Sequence, residues 1–204
     1  MAQEMFRLAT LRYNHQRHSN RKLDNEKTPE KPLYFYILYS HLIRSSVCEE
    51  HRDYKSALKF VALYMGGSSI QEDDEVSKRT LAQFHEWGTA NSLLYQLLSG
   101  QQEVLPEYVE YIAPKSNEIF VALYHITIAA NRYVWNIDHI LERFDAYIPY
   151  RTNLTEFGII HNQQIIANQY TRFLAELASY YLHNKRKEGI NFILQKFGVI
   201  CQNQ

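Results

Sequence analysis

The sequence LYFYILYSHLIRSSVCEEH at residues 33–51 decides the fold class, because apolar residues cover most of a helical circumference in its first half. Only a helix that packs between neighbouring helices carries so wide an apolar surface. The short break HRDY separates it from YKSALKFVALYM at residues 54–65, a shorter helical pattern that ends at two glycines. A long helix, a tight turn and a short helix are typical of a helical hairpin.

The same unit recurs along the chain at uneven spacing. Short helices are predicted to begin near Tyr54, Pro106, Asn136 and Arg186. No segment alternates apolar and polar residues over the length of a strand between hairpin turns. The sequence therefore predicts an all-α fold of stacked antiparallel helical hairpins, in a degenerate repeat array with a shared core.

Three further long helices are predicted. The first runs from about residue 76 to residue 99, with the acidic residues 72–75 at its positive end. The second covers residues 117–133, with Ser116 or Asn117 as its cap. The third carries the clearest apolar stripe in the chain, formed by Ile166, Tyr170, Phe173, Leu174, Leu177 and Tyr181.

The N-terminal part of the chain differs from the rest. A short amphipathic helix is predicted over residues 1–18, and the polar sequence at residues 19–32 is typical of a linker. We therefore expect a helix-plus-linker segment over 1–32 and an α-helical repeat domain over 33–204. The apolar face of the short helix is predicted to comprise Met5, Leu8, Leu11 and Tyr13.

Charge and cysteine usage narrow the class of protein. The 22 Lys and Arg residues balance 22 Asp and Glu residues, which argues against a nucleic-acid clamp or a membrane-surface protein, both of which need a basic excess. Cys48 and Cys201 lack Cys-x-x-Cys spacing and are expected to be reduced thiols. No apolar run has the length of a signal peptide or a membrane span, so we expect a cytoplasmic protein.

The sequence predicts no catalytic residues, no metal site and no cofactor. It contains no glycine-rich phosphate loop, no Gly-x-Ser-x-Gly turn and no Glu-x-x-His pair. One acidic row could bind a cation or act in acid–base catalysis, although such a row is more often a solvated outer face. That row consists of Asp138, Glu142 and Asp145, with Arg143 beside it.

Three Ala-Asn dipeptides, at residues 90–91, 130–131 and 167–168, lie on the long helices. Asn is a mediocre helix former, and its amide both donates and accepts, which suits contact with an extended peptide backbone. The alternative is that each Asn serves the fold by satisfying buried polar groups. Tyrosines give further contact area. The candidate groove consists of Asn91, Tyr95, Tyr124, Asn131, Asn168 and Arg172.

Four sequence segments together resemble the C-terminal half of helix-turn-helix transcriptional regulators from Gram-positive bacteria of the Bacillus and Paenibacillus type. The resemblance covers about residues 33–200 and implies tetratricopeptide-like repeats that form the sensing half of a regulator and bind a peptide or protein segment. The four segments are YFYILYSHLIRSSVCEEHRDYKSALKFVALYM, FHEWGTANSLLYQLLSGQQEVLPEYVEYI, AANRYVWNIDHILERF and QYTRFLAELASYYLHNKRKEGINFIL.

The sequence departs from that group at its N-terminus. A helix-turn-helix needs roughly 20 residues in two packed helices, whereas residues 1–20 supply one helix. We therefore expect a truncated or stand-alone sensing half and doubt direct DNA binding. Two alternatives to a peptide-binding module stay open. One is a dimerisation or docking scaffold without a ligand, and the other is an all-α metal-dependent enzyme that uses the acidic row.

Overall fold

The structure, a computed structural model, describes residues 1–19, 30–66, 74–148 and 161–184. Within these four ranges the chain is mostly helical and contains no strand, so the predicted all-α fold is confirmed. The chain divides into two compact units, Met1–Gln96 and Leu97–Gln204. The helices are α1 (Ala2–Ser19), α2 (Leu33–Glu50), α3 (Tyr54–Gly66), α4 (Glu75–Leu98), α5 (Leu105–Ile112), α6 (Ile119–Tyr133), α7 (Asp138–Arg143) and α8 (His161–His183).

Helices α2 and α3 form the predicted hairpin in the first unit. They pack against each other across a turn of three residues, in which Arg52 has a positive φ of 59°. The Asp53 carboxylate accepts the backbone N–H of Ser56, which satisfies one free donor at the start of α3. Ala57, a small residue in the first turn of α3, is fully buried.

Helix α4 runs alongside α2 in the same direction, with α3 packed against both. The Tyr34 hydroxyl lies 2.9 Å from the Ser77 hydroxyl near the beginnings of α2 and α4. Near their ends the Tyr95 side chain hydrogen-bonds to Ser45. Two successive long helices that lie parallel, with a short antiparallel helix between them in the chain, are the arrangement expected of tandem hairpins.

The first helix packs on α2, but through a different face from the one predicted. Ala9 and Tyr13 are buried, whereas Leu8 and Leu11 are 48% and 56% exposed, so their assignment to the buried face is wrong. Ala9 has the small side chain that permits a close helix approach. The predicted domain boundary after residue 32 stays a prediction, since residues 20–29 are not described.

The second unit repeats the parallel arrangement with α6 and α8. The rings of Phe120 and Phe173 meet edge to face with 5.4 Å between centroids. Farther along both helices, the Asn131 amide reaches Glu176. The predicted short helix over residues 186–197 lies outside the described residues.

Two boundaries in this unit differ from the predictions. Helix α6 begins at Ile119, and neither Ser116 nor Asn117 caps it, because a turn closed by the Glu118 N–H and the Lys115 carbonyl precedes it. The predicted short helix after Asn136 divides into α7 and a 3₁₀ turn at Asp145–Tyr147.

Candidate functional site

Two of the six predicted groove residues, Asn91 and Tyr95, lie in the first unit and face its interior. The Asn91 amide donates a hydrogen bond of 3.0 Å to the Tyr64 hydroxyl, and Tyr95 is 3% exposed. Burial raises the pKa of Tyr64 to about 12 and that of Tyr95 in the same direction. Both phenols therefore stay neutral and serve as hydrogen-bonding groups inside the unit.

Asn131 joins α6 to α8 in the second unit. Its amide donates to the backbone carbonyl of Glu176 and to the carboxylate Oε2 of the same residue, both at 2.8 Å. Its own carbonyl oxygen is buried and has no hydrogen-bond partner among the described residues. Both hydrogen bonds of the Asn131 side chain therefore connect two helices of the same unit.

The other three predicted residues leave more of their surface to solvent. Asn168 and Arg172 are exposed on α8, one turn apart, and Tyr124 is half-buried on α6. Glu176 lies one turn after Arg172, and Asn131 lies two turns after Tyr124, so helical periodicity places each set on one face. The Asn131–Glu176 contact brings the two faces together. We call this surface the α6–α8 seam, defined by Tyr124, Asn131, Asn168, Arg172 and Glu176.

Replacing Asn131 by Ala is expected to lower the free energy of unfolding by about 1–3 kcal/mol, because the Glu176 carbonyl and carboxylate lose their donor. The better helix propensity of Ala offsets part of that loss. Urea unfolding of the variant measures the change. Gln169→Ala, at an exposed site on the facing helix, is the control and is expected to change stability by less than about 0.5 kcal/mol. An unchanged stability in Asn131→Ala would contradict the structural role.

The three carboxylates of the predicted acidic row have different surroundings in the structure. The Asp138 carboxylate accepts a hydrogen bond of 2.9 Å from the Tyr180 hydroxyl, while Glu142 and Asp145 are exposed. Arg143 pairs with Glu110 on α5 instead of with the row. In the part of the chain that the structure describes, no group of three His, Cys, Asp or Glu side chains is placed to hold a metal ion.

Tyr180 links two helices, a role that the sequence patterns do not predict. Its hydroxyl accepts the backbone N–H of Ile137 at 3.0 Å and donates to the Asp138 carboxylate, so it ties α8 to the start of α7. The ring is 1% exposed. The predicted α8 stripe contains Tyr181, whereas the structure buries its neighbour Tyr180 more deeply and leaves Tyr181 half-buried. Near the end of a helix, the helical period alone does not determine which of two adjacent tyrosines is buried.

Burial also sets the charge state of a histidine on α6. His125 is half-buried with its Nδ1 inside the fold, and burial lowers its pKa to about 4, while the Val121 backbone acts in the opposite direction. Glu118 and Arg132 each lie seven residues from His125, on the same face of the helix. Glu118 is exposed, whereas Arg132 donates to the carbonyl of Leu98 at 3.1 Å.

No family model matches the sequence, and comparisons with curated proteins and with solved structures also found no match. No helix in the described ranges is both long enough and apolar enough to cross a membrane. The functional conclusion therefore depends on the chemistry of this chain.

Proposed function

We propose that the protein is a non-enzymatic binding module that recognises a peptide or protein segment through the α6–α8 seam. The observation that supports this most is the exposure of Arg172 and Asn168 beside the Asn131–Glu176 bridge. A fixed polar bridge flanked by an exposed guanidinium and an exposed amide offers hydrogen-bond donors and acceptors to a backbone or a carboxylate. Half-buried Tyr124 adds aromatic contact area at little cost in conformational entropy.

The paired helices supply the rigidity that such a surface needs. Phe120 of α6 packs against Tyr170 and Phe173 of α8, and its ring centroid lies 5.8 Å and 5.4 Å from theirs. Binding to a preformed surface avoids the entropy cost of ordering side chains and backbone on association. The role extends to the sensing half of a cytoplasmic transcriptional regulator, as the resemblance implies. A peptide would then be the signal that it senses.

Arg172→Ala is expected to weaken peptide binding about tenfold, because a charge-assisted hydrogen bond contributes roughly 1.5–3 kcal/mol. The probe is a synthetic peptide chosen from a displayed library on the immobilised wild-type chain. Isothermal titration measures its Kd for the wild type and the variant. The melting temperature should stay the same, since Arg172 is exposed.

Arg79→Ala on α4 is the matched control, because it removes an exposed arginine from a helix outside the seam. Its Kd should equal that of the wild type. If Arg172→Ala and Asn168→Ala both bind the peptide as tightly as the wild type does, the α6–α8 seam is not the binding surface. A library that yields no saturable peptide would contradict the proposed function itself, and self-association of the chain in sedimentation would then favour the docking scaffold.

A further inference from the structure

In the first unit, the imidazole of His41 on α2 lies between aromatic rings from two other helices. The Phe6 ring of α1 is 4.9 Å away between centroids, and the Phe60 ring of α3 is 6.1 Å away and stacked. His41 is 8% exposed. Its Nδ1 is buried and has no hydrogen-bond partner within the described ranges. The site is therefore built for a neutral ring.

The charges around this ring would not stabilise a proton on it. On α2, the Arg44 guanidinium lies one turn away, 4.1 Å above the Phe60 ring. On α1, Glu4 forms an exposed ion pair with Arg7. On α3, the residue before Phe60 is Lys59, which is exposed. Burial and, secondly, the positive charge of Arg44 both lower the pKa of His41.

We propose that α1 is a pH-sensitive element, which undocks from α2 when His41 takes up a proton. Phe6 is the α1 ring that covers the imidazole, so departure of α1 admits water to the new charge. The remaining contacts of α1 with α2 include the small Ala9 and the single ring of Tyr13. Helices α2 and α3 keep their own hairpin packing when α1 leaves. This inference does not depend on the proposed peptide site.

The sign of the effect follows from proton linkage. Departure of α1 exposes the imidazole to water, so the pKa of His41 rises towards its ordinary value of about 6.5 and the undocked state binds more protons as the pH falls. Docking is therefore strongest above that value and weakens as the pH falls through it. A drop from pH 7.5 to pH 5.5 should raise the undocking equilibrium constant by at most about tenfold.

Hydrogen–deuterium exchange of the full chain, followed by mass spectrometry and corrected for the intrinsic pH dependence, tests the proposal. Amides of residues 5–13 on α1 should exchange faster at pH 5.5 than at pH 7.5, by up to about tenfold, while those of residues 57–64 on α3 should not change. In His41→Phe the α1 rate should be the same at both pH values. His41→Gln serves the same purpose should the Phe variant not fold. Phe6→Ala should give fast α1 exchange at both pH values.

Three outcomes would overturn the proposal. One is α1 exchange that does not change with pH in the wild type. Another is the same pH response in the wild type and in the His41 variants. The third is a rise of α3 exchange in parallel with α1, which would mean that the whole unit opens.

Discussion

Lowering the pH from 7.5 to 4.5 is expected to remove about 2.5 kcal/mol of unfolding free energy through His125 alone. Its pKa is about 4 in the folded protein and about 6.5 when unfolded. Between these values the unfolded chain binds more protons, so acid favours unfolding. The effect is absent above pH 6.5 and complete below pH 4, where both states are protonated.

Urea unfolding of the wild type and of His125→Phe at both pH values measures this contribution. Exposed carboxylates with a lowered pKa, such as Asp53 and Asp74, also titrate near the acidic end, but equally in both proteins. The difference between the two pH dependences therefore isolates His125. His85→Gln, an exposed histidine on α4, is the matched control and should retain the wild-type slope. Identical slopes in the wild type and His125→Phe would show that His125 is not buried as described.

Tyr180→Ala should lower the unfolding free energy by about 3–5 kcal/mol, as expected for loss of a fully buried aromatic ring. Tyr180→Phe separates the hydroxyl from the ring. It keeps the packing but leaves the Ile137 N–H without its acceptor, which should cost about 1–3 kcal/mol. Both values follow from chemical denaturation at pH 7.5.

Tyr181→Phe is the control for that pair, since the neighbouring ring is only half-buried. Its stability should stay within about 0.5 kcal/mol of the wild type. A Tyr180→Phe variant as stable as the wild type would mean that water, not the hydroxyl, satisfies the Ile137 N–H.

Helical periodicity predicts the existence of most helices because it is a local signal of burial. Leu33–Glu50 and Tyr54–Gly66 end within a residue or two of their predicted bounds. The same signal fails for the face of α1, where Leu8 and Leu11 are more apolar than Ala9 but Ala9 and Tyr13 are the buried residues. Hydrophobicity alone would bury the leucines, whereas the close approach of two helices requires a small side chain such as that of Ala9.

The end of α6 shows a second limit of local patterns. Val134 terminates the helix in the left-handed region with φ of 60°, a conformation that a β-branched residue rarely adopts. Glycine normally signals such an end, as Gly100 does after α4 with φ of 100°. At Val134 the turn is closed by a local hydrogen bond from the Trp135 N–H to the Ala130 carbonyl, and the next residue, Trp135, buries its ring.

The predicted groove depended on partners that are distant in the chain. Asn91 meets Tyr64, 27 residues away, and Asn131 meets Glu176, 45 residues away. No local pattern distinguishes an amide that bonds such a partner from one that faces a ligand. The Ala-Asn repeat therefore indicates only that each Asn lies on a long helix. The contacts of each Asn depend on the tertiary structure. The role of all six residues in ligand binding stays a prediction.

The most direct test of the account is a ¹⁵N–¹H correlation titration of the full chain with the peptide selected on the wild type. The α6–α8 seam predicts saturable shift changes concentrated on residues 121–132 of α6 and residues 168–179 of α8. It also predicts that Arg172→Ala weakens them about tenfold. Shift changes confined to α1 and α3, or saturable binding that Arg172→Ala and Asn168→Ala leave unchanged, would contradict the central claim.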